Sequence, residues 1–127
     1  MPRPDYDDQN IFARILRGEI PSDKVAENDH ALAFRDISPA APVHVLVIPK
    51  GAYVSFDDFC AHASEPELAG FLRLCAQVAD SEGVALDRGL GFRAITNAGE
   101  HGVQEVPHFH LHLLGGRVMG PMLTRRD

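Results

Sequence analysis

Residues 108–114 read H-F-H-L-H-L-L. Strict alternation of this kind belongs to an extended chain, in which successive side chains point to opposite faces. A strand over His108–Leu114 puts His108, His110 and His112 on one face and Phe109, Leu111 and Leu113 on the other. The apolar face has to be covered, and an amphipathic helix is the natural cover. The imidazole face has to meet polar partners, because a buried ring nitrogen left unpaired is costly.

The stretches on either side supply the rest of such a sheet. Residues 44–48, H-V-L-V-I, are β-branched and apolar on both faces, which predicts a central strand. Lys24–Glu27 and Ala31–Arg35 are strand candidates joined by the turn chemistry of Glu27-Asn28-Asp29-His30, and Phe92–Thr96 is another. Ser38-Pro39-Ala40-Ala41-Pro42 is a loop, since two prolines break either regular element, and residues 97–105 form a glycine-containing loop. Ser64 with Glu67 is a capping-box signal. After it, Leu68, Phe71, Leu72, Cys75, Val78 and Ala79 recur at helical spacing, predicting one long amphipathic helix ending near Gly83. Asn10 is placed to cap a short helix carrying Ile11, Phe12, Ile15 and Leu16, stopped by Gly18 and Pro21. The expected fold class is α+β: an antiparallel five-stranded sheet with one long and one short N-terminal helix. Residues 1–9 are expected to be a flexible tail and 10–127 a single domain.

Bulk composition narrows the function classes. With 127 residues, 45% hydrophobic and 24% charged, the chain suits one globular core. Its net charge of −6 argues against nucleic acid or an anionic membrane as partner. Backbone N–H groups at helix ends still allow a local anion site. Cys60 and Cys75 form no C-x-x-C pair, and Cys75 lies on the apolar helix face, so both read as reduced thiols rather than a disulfide. The opening M-P-R-P-D-Y-D-D has no apolar core of a signal peptide, and no run reaches the ~18 apolar residues of a membrane span. A cytoplasmic location is the expectation.

A lone histidine would read as a surface or satisfied core residue, but three aligned on one strand face ask for a different explanation. One is metal binding, since neutral imidazoles suit zinc, copper or nickel. Residues i and i+2 of a strand stand about 6–7 Å apart, so three ligands to one ion would strain it. No Cys, Asp or Glu is expected on that face nearby to complete a set. The other is nucleophilic catalysis: a neutral imidazole attacks phosphorus readily at neutral pH, and flanking rings supply hydrogen bonds and protons. His110, with an imidazole on each side, is then the natural attacker.

At this point the sequence resembles the histidine triad (HIT) family, in its Hint-like, bacterial-type branch of nucleoside phosphoramidases. The blocks that carry the likeness are N-I-F-A-R-I-L-R-G-E-I-P, A-L-A-F-R-D-I-S-P, A-P-V-H-V-L-V-I-P-K, V-Q-E-V before the histidines, and L-L-G-G-R-V-M-G-P-M-L after them. The resemblance implies a homodimer acting on purine nucleoside monophosphate conjugates, often with a P–N bond, and needing no cofactor or metal. His110 would form a nucleotidyl-imidazole intermediate, and His112 would polarise phosphate oxygens and assist proton transfer. His108 and His44 would orient His110. Asp36 would accept from ribose hydroxyls; its other reading is an Asx turn before Pro39. Ile11, Phe12, Ile15, Phe34, Ile37 and Leu46 would wall the base, or several of them could simply be core. Asn97, Gln104, Glu105 and Val106 would hold the phosphate and leaving group. The chain departs from the branch at Pro107, where Tyr is common, at Val103, where Gly is usual, and at Glu105, where animal relatives carry Ser; it has no Trp. Leu114, not Gln, follows His112-Leu113, which disfavours the transferase branch. The rival functions are a dinucleoside polyphosphate hydrolase and a non-catalytic nucleotide-binding scaffold dimer.

Overall fold

A computed structural model describes residues 2–124 of the chain. Eight elements follow one another: α1 (Ile11–Leu16), β1 (Lys24–Glu27), β2 (Ala31–Arg35), β3 (Val43–Pro49), α2 (Phe56–His62), α3 (Glu65–Ser81), β4 (Arg93–Ile95) and β5 (Leu111–Gly115). The five strands form one sheet in the order β1-β2-β3-β5-β4. Every neighbouring pair is antiparallel, as the alternation and strand spacing led one to expect.

The helices begin where their capping residues stand. Asn10 Oδ1 accepts from Ala13 N at 2.9 Å and opens α1. Gly18, in the left-handed region at φ 77°, ends it, a conformation that side-chain-bearing residues avoid. At α3 the capping box closes both ways: Ser64 Oγ accepts from Glu67 N at 3.2 Å, and Glu67 Oε1 accepts from Ser64 N at 3.0 Å. The Tyr53 hydroxyl donates to the same carboxylate at 2.8 Å, which ties the loop after β3 to the start of α3.

The sheet buries two different faces. Ala31, Ala33, Val45, Val47 and Leu113 pack against Phe71, Leu74 and Val78 of α3, with Phe59 and Phe109 filling the end of that core. Fully burying a phenylalanine such as Phe71 or Phe109 stabilises by about 2–3 kcal/mol each. On the other face Leu32, Phe34, Leu46 and Ile48 meet Phe12 of α1, a smaller cluster that leaves room for a cavity. Among the described residues no helix is long and apolar enough to cross a membrane.

Three local expectations need correction. First, β5 begins at Leu111, not His108. Its ladder with β3 ends at the Val47–Leu111 pair; upstream, Phe109 N donates to Tyr53 O at 2.8 Å in the loop after β3. Alternation nonetheless continues upstream of the ladder: Phe109 packs in the α3 core, while the His108 ring meets Phe12 on the side of His110. Second, a short helix, α2, precedes the long one. Its seven residues are too few to display a period, although Ser55 followed by Asp57 and Asp58 in the first turn is a start signal. Third, the segment read as a loose tail is anchored at Arg3 and Tyr6, with Tyr6 half-buried and the other residues of 2–9 exposed. Arg3 Nε donates to Asp58 Oδ1 at 3.1 Å, Arg3 Nη2 donates to Ala52 O at 2.6 Å, and Tyr6 reaches His108. The upper limit of 127 expected for the domain lies outside the described residues.

Candidate active site

The sheet face that carries α1 opens into a cavity of about 930 Å³. Ladder register explains why a hydrophobic wall and a polar centre adjoin there. Phe34 of β2 pairs with Leu46 of β3, Leu46 pairs with His112 of β5, and His112 pairs with Ile95 of β4. Side chains directly opposite across strands share a face, so Phe34, Leu46 and His112 form one row, and all three line the cavity. Ile11, Phe12, Ile15 and Val106 extend the wall, and Ile37 stands almost wholly exposed at its rim. Asp36, Asn97, Glu105 and His110 complete the lining expected from the sequence.

Three expected residues do not line this cavity. His108 is completely buried behind it, and His44 is held under His112. Gln104 is used up inside its own loop: its Nε2 donates to Val54 O at 2.6 Å and Val106 O at 3.0 Å, and its Oε1 accepts from Gly99 N at 3.0 Å. The amide is thus a brace of the 97–106 loop, and it is not placed to hold a phosphate. Lining residues that sequence reasoning did not single out include Ile20, Pro21, Ser22, His101 and Leu123. Of these, only His101 carried a signal, as a histidine in the loop leading to the triad.

Hydrogen bonds settle which ring nitrogens carry protons. His110 Nδ1 lies 2.7 Å from the His108 carbonyl oxygen. A carbonyl only accepts, so Nδ1–H donates, and in the neutral ring Nε2 keeps a free lone pair. Burial lowers the His110 pKa below its ordinary value, opposed by the bond to His108 and by the charges of Asp36 and Glu105. The ring is therefore neutral at neutral pH. The edge of Phe12 contacts it at 4.9 Å between centroids, and His112 stands 5.1 Å away.

A second chain of bonds fixes His112. His44 Nδ1 accepts from Ala40 N at 3.0 Å, so the proton of neutral His44 sits on Nε2. That nitrogen is 2.9 Å from His112 Nδ1 and donates to it, which leaves the proton of His112 on Nε2. His112 is thereby a donor on a ring that lines the cavity. Burial pushes its pKa down to about 4, with His110 and His44 acting in the same direction.

Asp36 makes the Asx turn that was its other reading. Its Oδ1 accepts from Ser38 N at 2.8 Å, the Asx turn before Pro39, while Oδ2 lies 3.6 Å from His44 Nε2. Contrary to the expectation that no carboxylate stands near the histidines, Asp36, His44 and His112 bring ligand atoms within 4.8 Å of one another. The donor set does not suit a cation, however. His44 Nδ1 is committed to the Ala40 N–H, so coordination through Nε2 would require an imidazolate, at the cost of the bond to His112.

The cavity rim also holds a strained residue. Val103 has φ 58°, the left-handed region that a β-branched side chain resists by roughly 1–2 kcal/mol. Replacing it by Gly removes that strain and returns part of it as unfolded-chain entropy, for a net gain of about 0.5–1 kcal/mol. Val103→Gly is expected to raise the midpoint of thermal unfolding by a few degrees; a lower midpoint would show that the valine is not strained.

Comparison with known proteins agrees with this geometry. Residues 17–119 match the model of the HIT domain. The chain is 57% identical over 120 residues to an uncharacterised 13.2 kDa HIT-like protein of Azospirillum brasilense, covering 94% of this chain and 96% of the relative. It is 46% identical over 119 residues to the purine nucleoside phosphoramidase of Escherichia coli K12, covering 94% and 97%. The solved structure of a histidine triad protein from Clostridium difficile superposes with a TM-score of 0.76 at 38% identity, covering 97% of this chain and all of that one. With its sheet, its long helix and its paired imidazoles in a cavity, this chain belongs to the HIT-domain family.

Proposed function

We propose that the protein hydrolyses purine nucleoside phosphoramidates by way of a covalent nucleotidyl-histidine intermediate on His110. The observation that carries this is the His110 tautomer: Nδ1–H is held by the His108 carbonyl, and Nε2 is left free on a ring lining the cavity. The name of the E. coli relative points to the same substrate class.

The reaction follows from the protons already placed. His110 Nε2 attacks the α-phosphorus and forms a P–N bond to the ring. The bond from phosphorus to the leaving amine breaks, and the amine departs with a proton taken from water, while the Nε2–H of neutral His112 donates a hydrogen bond to a phosphate oxygen. The hydroxide so formed attacks phosphorus, the P–N bond to the ring breaks, and the nucleoside monophosphate and free His110 are released. Positioning and charge stabilisation supply most of the acceleration in such transfers. The row Phe34–Leu46 and the α1 residues Ile11, Phe12 and Ile15 take the base, and the unengaged lone pairs of Asp36 face ribose hydroxyls. Glu105, exposed at the rim, adds negative charge near His110 and suits contact with a leaving amine better than with phosphate.

Two further elements belong to this reading. β4 edges the sheet with one side unpaired, and Leu86, Leu90 and Phe92 before it are exposed, which supports pairing of two copies there. Two free thiols accord with a reducing cytoplasm.

A panel of adenosine conjugates with P–N, P–S and pyrophosphate leaving groups tests the proposal. The P–N conjugate is expected to turn over fastest. Preference for the pyrophosphate would favour a dinucleoside polyphosphate hydrolase instead, and turnover of none would favour a nucleotide-binding scaffold.

A further inference from the structure

His108 presents a problem that neither the triad pattern nor the reaction explains. Its ring is completely buried, lies off the cavity, and touches no substrate position. Its Nε2 is 2.9 Å from the Pro49 carbonyl oxygen and must donate to it. In the neutral ring Nδ1 is then a bare acceptor, and a buried acceptor needs a donor. That donor comes from 102 residues away: the Tyr6 hydroxyl stands 2.6 Å from His108 Nδ1, with the two rings edge to face at 5.7 Å.

Tyr6 is held there by the helix that walls the cavity. The Asp7 carbonyl accepts from Asn10 N at 3.3 Å and from Asn10 Nδ2 at 2.7 Å. Asn10 is the cap of α1, whose Phe12 contacts both His108 and His110. The turn that starts α1 therefore also sets the tyrosine against His108. Three residues upstream, Arg3 clasps the buried carboxylate of Asp58 and lies over the Tyr53 ring at 4.9 Å, so the segment is held on both sides of Tyr6.

The consequence lies one bond further on. The carbonyl of His108 is the group that accepts from His110 Nδ1. Rotation of His108 about its backbone moves that carbonyl, and with it the direction of the His110 lone pair. We infer that Tyr6 is a positioning residue for the nucleophile, acting through His108: its hydroxyl locks the His108 ring, and the locked residue presents its carbonyl to His110. Burial raises the Tyr6 pKa above its ordinary 10.0, so the hydroxyl stays a donor at neutral and mildly alkaline pH. The segment ahead of α1 is thus part of the reaction's geometry, although it stays outside the cavity.

The inference rests on His110 being the nucleophile, and the test separates the two. In Tyr6→Phe the aromatic ring remains and only the donor is lost. Hydrolysis of adenosine 5′-phosphoramidate by the full chain is expected to show kcat lowered about tenfold with KM within about twofold, the pattern of lost alignment rather than lost binding. Nitrogen-15 NMR of the histidine side chains, recorded without substrate, gives a readout that does not depend on turnover. In the parent chain His108 should carry its proton on Nε2 and His110 on Nδ1; in Tyr6→Phe both the His108 Nδ1 signal and the His110 Nδ1–H signal should move. Unchanged kcat, a loss confined to KM, or a His110 Nδ1–H signal that stays in place would overturn the inference. A parent chain that turns over no phosphoramidate would sink the proposed function, and the NMR comparison would still decide whether Tyr6 governs the His110 ring.

Discussion

His110→Ala is expected to remove phosphoramidate turnover, with kcat falling by ~10⁴-fold or more, as when a covalent nucleophile is deleted elsewhere. Of the two triad histidines that line the cavity, His110 is the one that keeps a free imidazole lone pair. His112 has its Nδ1 occupied by His44 and its proton on Nε2; His108 is sealed behind both. The fold should survive, because among the described residues the only side-chain bond of His110 is local, to the His108 carbonyl, the long-range bond from Thr96 Oγ1 goes to its backbone carbonyl, and its ring packs at the cavity against Phe12 and His112. Nucleotide binding should survive as well, since the base wall of Phe34, Leu46 and α1 is untouched. Isothermal titration with AMP alongside the rate assay separates these statements. Retained turnover in a pure His110→Ala preparation would mean that another group attacks phosphorus.

Acidification is expected to destabilise the protein well before its carboxylates protonate. Burial holds His108 at about 4, against 6.5 for a free ring, and holds His112 at about 4 as well. In the unfolded chain both rings take up protons near 6.5. Between about 6.5 and 4 the unfolded state therefore binds more protons than the folded one, and stability falls as pH falls. The contribution is fully present above this window and gone below it. His108 alone accounts for about 3 kcal/mol across the window, a large share of the stability of an ordinary domain. Asp58 is held below its usual range by Arg3, the Val54 N–H and His62 against the opposing effect of burial, so its contribution is lost at still lower pH, in the same direction. Urea unfolding at pH 7 and pH 5 checks this: the midpoint should drop clearly at pH 5, whereas equal midpoints would show that neither ring is buried as a neutral base.

Both expectations turn on contacts between distant residues, and that is where sequence reading ended. The alternation of 108–114 and the apolar run of 44–48 were sufficient to place the central strands, because period and burial are local properties. The Ser64–Glu67 box and Asn10 marked helix starts for the same reason. The ladder, however, stops where its partner strand turns away, and no feature within 108–114 records that β3 ends its pairing at Val47. His108 is thus off the ladder and sealed from the cavity, although its type and spacing match those of His110 and His112. Asp36 lies eight positions before His44 and far from His112 in sequence, and only the antiparallel return of β3 and β5 groups them. Gln104 reads as a polar residue beside the triad; that its amide is spent on Val54 and Val106 emerges only once the loop is folded. Tyr6 was hidden by its surroundings, a polar, proline-containing opening that carries every compositional sign of a tail.

Intact-mass spectrometry on the protein mixed with adenosine 5′-phosphoramidate, quenched at neutral or alkaline pH over the course of one turnover, tests the nucleophile most directly. An adenylyl group should appear on the chain, map to His110, and decay as AMP is released. AMP production with no adduct at any time, or an adduct mapping to another residue, would contradict a covalent role for His110.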